Sequence, residues 1–130
     1  MPLIGIYNEK YPIGDLEFEI RVSPRFRESR GGNETEIFAK LPDAIEIIGG
    51  GIGSAMEFAH IMKINKEKLS EGKEPTYIAP VSLTGKACFS SSVFTFPMEE
   101  ELRVCVPDYR ILNGKAATYF LKERLKFNDN

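Results

Sequence analysis

Residues 45–62 read Ile-Glu-Ile-Ile-Gly-Gly-Gly-Ile-Gly-Ser-Ala-Met-Glu-Phe-Ala-His-Ile-Met. A short apolar run passes through four glycines and re-emerges with apolar residues at helical spacing. Ile52, Ala55, Met56, Ala59 and Met62 form the stripe; Phe58 and Ile61 widen it until only Ser54, Glu57, His60 and Lys63 remain polar. The stretch predicts a buried strand over Ile45–Ile48, a glycine turn, and a helix from Ile52 buried on more than one side, with Met56 and Met62 in its core.

Upstream, Leu16, Phe18, Ile20 and Val22 alternate with Glu17, Glu19 and Arg21, the period-2 pattern of a half-buried strand. Before it, Pro2, Gly5, Pro12 and Gly14 break residues 1–15 into short pieces that read as an extended arm. After it, Pro24 and the pair Gly31-Gly32 bound a loop carrying Arg25, Phe26, Arg27 and Arg30. Asn33 suits the cap of a short helix from Glu34 to about Leu41, with Glu34 and Glu36 at the positive end of its dipole.

Downstream, Lys66 to Pro75 reads as a charged connector, and Tyr77–Leu83, Cys88–Phe96 and Leu102–Val106 as strands, the first interrupted by Pro80. After the turn signal Asn113-Gly114, the positions Ala117, Phe120, Leu121 and Leu125 predict a C-terminal amphipathic helix. Its outer face carries Lys115, Lys122, Arg124 and Lys126.

The chain of 130 residues, 42% hydrophobic and 28% charged, is enough for one compact core and is expected to form a single domain. A formal charge of −2 supplies no global basic field, so any contact with a polyanion requires a local patch. Cys88 and Cys105 lack CxxC spacing, and with a single histidine they offer no zinc ligand set. The apolar piece Leu3–Ile6 is too short for a secretory leader, and no run approaches the ~20 apolar residues of a membrane span; free thiols and an intracellular location are expected. His60 reads as a surface or interface residue, and Glu99-Glu100-Glu101 as a solvated turn.

Two architectures compete for the glycine turn. In a dinucleotide-binding turn, glycines let the backbone approach a pyrophosphate at a helix start. Gly49 to Gly53 satisfies this locally, but the GxGxxG spacing is imperfect, and counting on from Gly51 reaches Glu71 in the connector where a second strand should end in an acid.

The other architecture spans residues 17–106. Ile45-Glu46-Ile47, then Ile52, Ala55, Ala59 and Ile61 at their positions in the helix, together with the strand ending Arg21-Val22-Ser23, resemble the Alba family of small DNA- and RNA-binding proteins. The resemblance implies an α+β fold with a two-layer β-α-β-α-β-β core over residues 16–106, an N-terminal arm and an added C-terminal extension over 107–130. It implies a non-enzymatic protein without cofactor or metal, gripping RNA or DNA through the phosphate backbone as a homodimer or a heterodimer with a related chain. The nucleus or cytoplasm is the implied location, in RNA metabolism or nuclear development, with no membrane partner.

On that reading Arg25, Arg27 and Arg30 meet phosphates, Phe26 stacks on a base, Gly50, Gly51 and Gly53 add backbone amides, and Lys86 represents the family's basic hairpin. An Alba-like subunit that binds protein through its apolar helix face is the alternative, and a dinucleotide-binding enzyme built on Gly49–Gly53 the second.

Overall fold

A computed structural model describes residues 4–8, 18–22, 34–84 and 87–126. Contacts divide the chain into two compact units, Met1–Leu41 and Pro42–Asn130. The protein is mixed α+β, with two-stranded parallel sheets and several helices.

In the first unit, β1 (Ile4–Asn8) pairs in parallel with β2 (Phe18–Val22), Ile4 opposite Phe18 and Asn8 opposite Val22. The expected arm therefore contains a strand. Gly5 and the flanking prolines masked a run whose Ile4, Ile6 and Tyr7 favour extended backbone. Helix α1 (Glu34–Lys40) lies where its acidic start predicted it, and Ala39 is fully buried.

The second unit is built on a β-α-β crossover. β3 (Ala44–Ile48) leads through the glycines into α2 (Ile52–Ser70), and β4 (Tyr77–Val81) returns parallel to β3, Ala44 opposite Tyr77 and Ile48 opposite Val81. Lys66, Glu67 and Lys68, expected in a connector, belong to α2: Lys and Glu are good helix formers, and nothing before Gly72 stops the helix. Gly72, at φ +70, ends it: its amide bonds Leu69 O at 3.1 Å and the Lys73 amide bonds Lys68 O at 2.8 Å, the paired closure of a Schellman motif.

A buried amide ties the helix to the strand it feeds. Asn65 is wholly buried; Thr76 N donates to its Oδ1 at 2.7 Å, and its Nδ2 donates to Thr76 O at 2.8 Å. Thr76 Oγ1 then donates to Pro42 O at 3.0 Å, fixing the amino ends of both strands.

All five residues of β4 are buried. Tyr77, Ala79 and Val81 cluster with Ile111 and with Ala117, Phe120 and Leu121 of α4 (Gly114–Leu125), the helix predicted from those positions. Pro80 is tolerated because alternate amides of β4 point to opposite edges. Tyr77 N bonds Asp43 O on the β3 side while Ser82 N bonds Ile111 O, so the nitrogen of Pro80 faces away from β3.

Two expected strands are absent. Cys88–Phe96 forms a short helix α3 (Phe89–Ser92) and a 3-10 turn (Val93–Thr95), and Leu102–Val106 falls largely within a 3-10 segment (Glu100–Cys105). Along the chain β2, α1, β3, α2 and β4 follow one another as expected, but β2 pairs with β1 and β3 with β4 in separate sheets and the closing strand is not formed; after β4 only an isolated parallel bridge links Val81 to Ile111 among the described residues. Ser92 Oγ donates to Cys88 O at 3.1 Å and Thr95 Oγ1 to Ser92 O at 2.9 Å, local bonds that compete with a sheet ladder. Leu102, Cys105 and Val106 are buried at a helical spacing, not an alternating one.

The buried face of α2 is narrower than expected: Phe58, Ile61, Met62 and Asn65. Phe58 meets Phe89 and Phe96 edge-on, with centroids 5.4 and 5.2 Å apart. Ile52 and Met56, expected inside, are 83% and 55% exposed because that side of the first turns packs on no element of the second unit.

Candidate functional site

In a parallel sheet, ligands are met at the carboxyl ends of the strands, where helix starts converge. Here that edge gathers the glycine turn after β3, Ser82 and Leu83 after β4, and the segment Cys88–Ser91.

The glycines differ in role. Gly49 and Gly50 have φ of +74 and +89, a conformation L side chains rarely adopt, and a β-carbon on Gly50 would sit 2.6 Å from Ser54 Cβ. The turn cannot be made without them. Gly51 and Gly53 have open space where a β-carbon would lie, and neither has a positive φ. Neither a positive φ nor a neighbour accounts for Gly53, and together with Gly51 it leaves the backbone of the helix start uncovered.

That start is electrostatically open. Gly51 precedes α2 with no side-chain cap and no acid in the first turn, and Ala55 N to Gly51 O, 3.1 Å, is the first closing bond. The amides of Ile52, Gly53 and Ser54 lie in the turn whose donors have no intrahelical acceptor, at the positive end of a 19-residue helix.

The other side of the turn is held by α3. Gly49 N donates to Ser90 Oγ at 2.8 Å, Ser90 N to Gly49 O at 2.9 Å and Phe89 N to Gly50 O at 2.9 Å. Ser91 does the same for β4: its Oγ accepts from Leu83 N at 2.9 Å. Cys88 Sγ lies 3.5 Å from Ser90 Oγ and 3.3 Å from Ser91 Oγ. Hydrogen bonds from Ser90 and Ser91 to the thiolate bring this half-exposed thiol down to about 7. Cys105, by contrast, is pushed up to about 11 by burial.

Ser82 supplies an unmet demand. It is 8% exposed, and its Oγ has no hydrogen-bond partner among the described residues. It stands one residue beyond the Val81–Ile48 pair, beside Gly49 in register. A buried hydroxyl left unpaired costs free energy that a bound polar group would relieve.

Of the residues singled out from sequence, Gly50, Gly51 and Gly53 lie on this turn; Arg25, Phe26, Arg27, Arg30 and Lys86 lie outside the described residues. His60 is half-buried within α2. Glu99 pairs with Lys66 at 2.7 Å and Glu100 with Arg103 at 3.1 Å, on the exposed surface expected of the glutamate run. Cys88, Ser90 and Ser91 escaped sequence reasoning because Cys88–Phe96 read as a strand; three consecutive serines, a turn-forming composition, were the available signal. Among the described residues no His, Cys, Asp or Glu cluster could hold a metal ion, and no helix is long and apolar enough to cross a membrane.

No family model, curated protein or solved structure matches the chain.

Proposed function

We propose that the second unit binds a phosphate or pyrophosphate group of a nucleotide at the glycine turn. The observation that carries this reading is the bare, uncapped helix start at the carboxyl edge of a parallel β-α-β unit, where Gly53 is required neither by a positive φ nor by a neighbour. The second parallel strand that a dinucleotide turn requires is present as β4, but Ser82-Leu83-Thr84 follows it where a ribose-binding carboxylate would stand. The reading is therefore of phosphate recognition, without a dinucleotide's ribose clamp.

A nucleic-acid backbone of the kind the Alba resemblance implies, gripped by a dimer, is the second reading. Arg25, Arg27 and Arg30 around Phe26 favour it, as does the order β2-α1-β3-α2-β4. Isothermal titration of the full chain with inorganic pyrophosphate, ADP and a single-stranded RNA separates the two. Free-nucleotide binding that survives replacement of the three arginines by alanine supports the glycine-turn site. Binding confined to RNA, steeply salt-dependent and lost with the arginines, assigns the phosphate to nucleic acid. Absence of binding to all three ligands refutes both readings.

A further inference from the structure

A second site lies apart from the glycine turn. A cavity of about 180 Å³ is lined by Pro80, Val93, Phe94 and Val106, with Arg103 and Asp108 also on its wall, and shares no lining residue with the turn. Pro80, Val93 and Val106 are buried, so its interior is apolar. An apolar cavity of about 150 Å³ accepts benzene. The space here thus suits one six-membered ring or a branched aliphatic chain, and little more.

The charged groups decide what the apolar body must carry. Arg103 and Asp108 are both exposed, one cation and one carboxylate on a single small cavity. Arg103 Nε is 3.1 Å from Glu100 Oε2, but that glutamate side chain is 92% exposed, and an exposed pair of this kind holds a guanidinium weakly. Asp108 has no ion-pair partner among the described residues. Arg110 is not on the cavity wall, but its guanidinium lies 5.6 Å from the ring centroid of the lining residue Phe94 and is engaged by that ring.

We propose that this cavity binds a free α-amino acid with an apolar side chain, of which phenylalanine is the best size. Its side chain enters between Pro80, Val93 and Phe94, its carboxylate meets the fork of Arg103, and its ammonium meets Asp108. The site is independent of phosphate binding at the glycine turn.

The test is titration of the full chain with L-phenylalanine, followed by amide chemical shifts and heat, beside 3-phenylpropionate and phenethylamine, which each lack one charge. Saturable binding of L-phenylalanine is expected, with each analogue weaker by about tenfold or more. Arg103→Gln and Asp108→Asn, both surface changes, should each weaken L-phenylalanine by a similar factor, while Arg103→Gln leaves phenethylamine unaffected. The proposal is overturned by an absence of saturable binding up to about 10 mM. It is equally overturned if an analogue binds as well as the amino acid, or if the shifts fall outside the residues lining the cavity.

Discussion

Replacing Asn65 by alanine removes a side chain that meets Thr76 on both sides of its peptide. Thr76 N–H loses its acceptor at 2.7 Å and Thr76 C=O its donor at 2.8 Å. Asn65 and Thr76 are both fully buried, so water cannot take over without opening the α2–β4 connection. An orphaned buried group costs about 1–3 kcal/mol, which puts the pair at about 2–6 kcal/mol. The lower half of that range applies if Thr76 Oγ1, bonded to Pro42 O, relaxes to admit a water. Urea unfolding followed by circular dichroism measures the loss: with a slope of ~1.5 kcal/mol per molar, the midpoint falls by roughly 1.3–4 M. Lys66→Ala, which removes an exposed pair with Glu99, is the matched control and should leave the midpoint nearly unchanged. A loss for Asn65→Ala no larger than the control's would refute the view that this amide fastens the crossover.

Three further outcomes are expected. Alkylation of Cys88 should follow a thiol titrating near pH 7, below the ordinary 9.0, and Ser90→Ala or Ser91→Ala should move that midpoint upward; rates measured across pH decide it. Above about pH 9 the fold should lose stability, because burial holds Cys105 up at about 11, and burial together with Glu74 holds Tyr77 at about 12. The native state then keeps protons that the unfolded chain releases; urea midpoints should fall as pH rises, less steeply in Cys105→Ser. Gly50→Ala should cost at least ~2 kcal/mol through its left-handed backbone and the collision with Ser54, whereas Gly53→Ala should be neutral or gain up to ~1 kcal/mol in thermal unfolding.

Periodicity made much of this fold legible. The strand at Ala44–Ile48, the helix opening at Ile52, the acidic start of α1 and the core face of α4 all follow from spacing that survives in three dimensions. Asn113 marked the start of α4 for a physical reason too: its side chain accepts from Ala116 N at 2.9 Å. The failures share one cause, the reading of apolar composition without its partners. Val93, Phe94 and Phe96 have strand propensity, but Ser92 and Thr95 divert the chain into turns and Phe96 joins an aromatic cluster with Phe58. Ile52 and Met56 complete an apolar stripe on paper, yet burial depends on which elements arrive, and none of the second unit's covers them.

The candidate site divides in the same way. Its glycines were visible as a strand-to-helix turn, while their different roles depended on φ and on the space around each. Ser90, Ser91 and the unpaired hydroxyl of Ser82 come to that edge only through tertiary structure. Tyr77–Leu83 read as a strand, but not as the parallel partner of β3, because α2 runs on to Ser70 and a count from Gly51 falls short of β4.

The central claim is that the bare helix start at Gly50–Ser54 receives phosphate. Titrating isotopically labelled full-length protein with inorganic pyrophosphate, and reading every backbone amide, tests it most directly. Saturable shifts centred on Gly50, Gly51, Ile52, Gly53 and Ser54, extending to Ser82 and Ser90, are the predicted result. Unmoved amides across the turn, with shifts confined to lysines and arginines elsewhere, would contradict it.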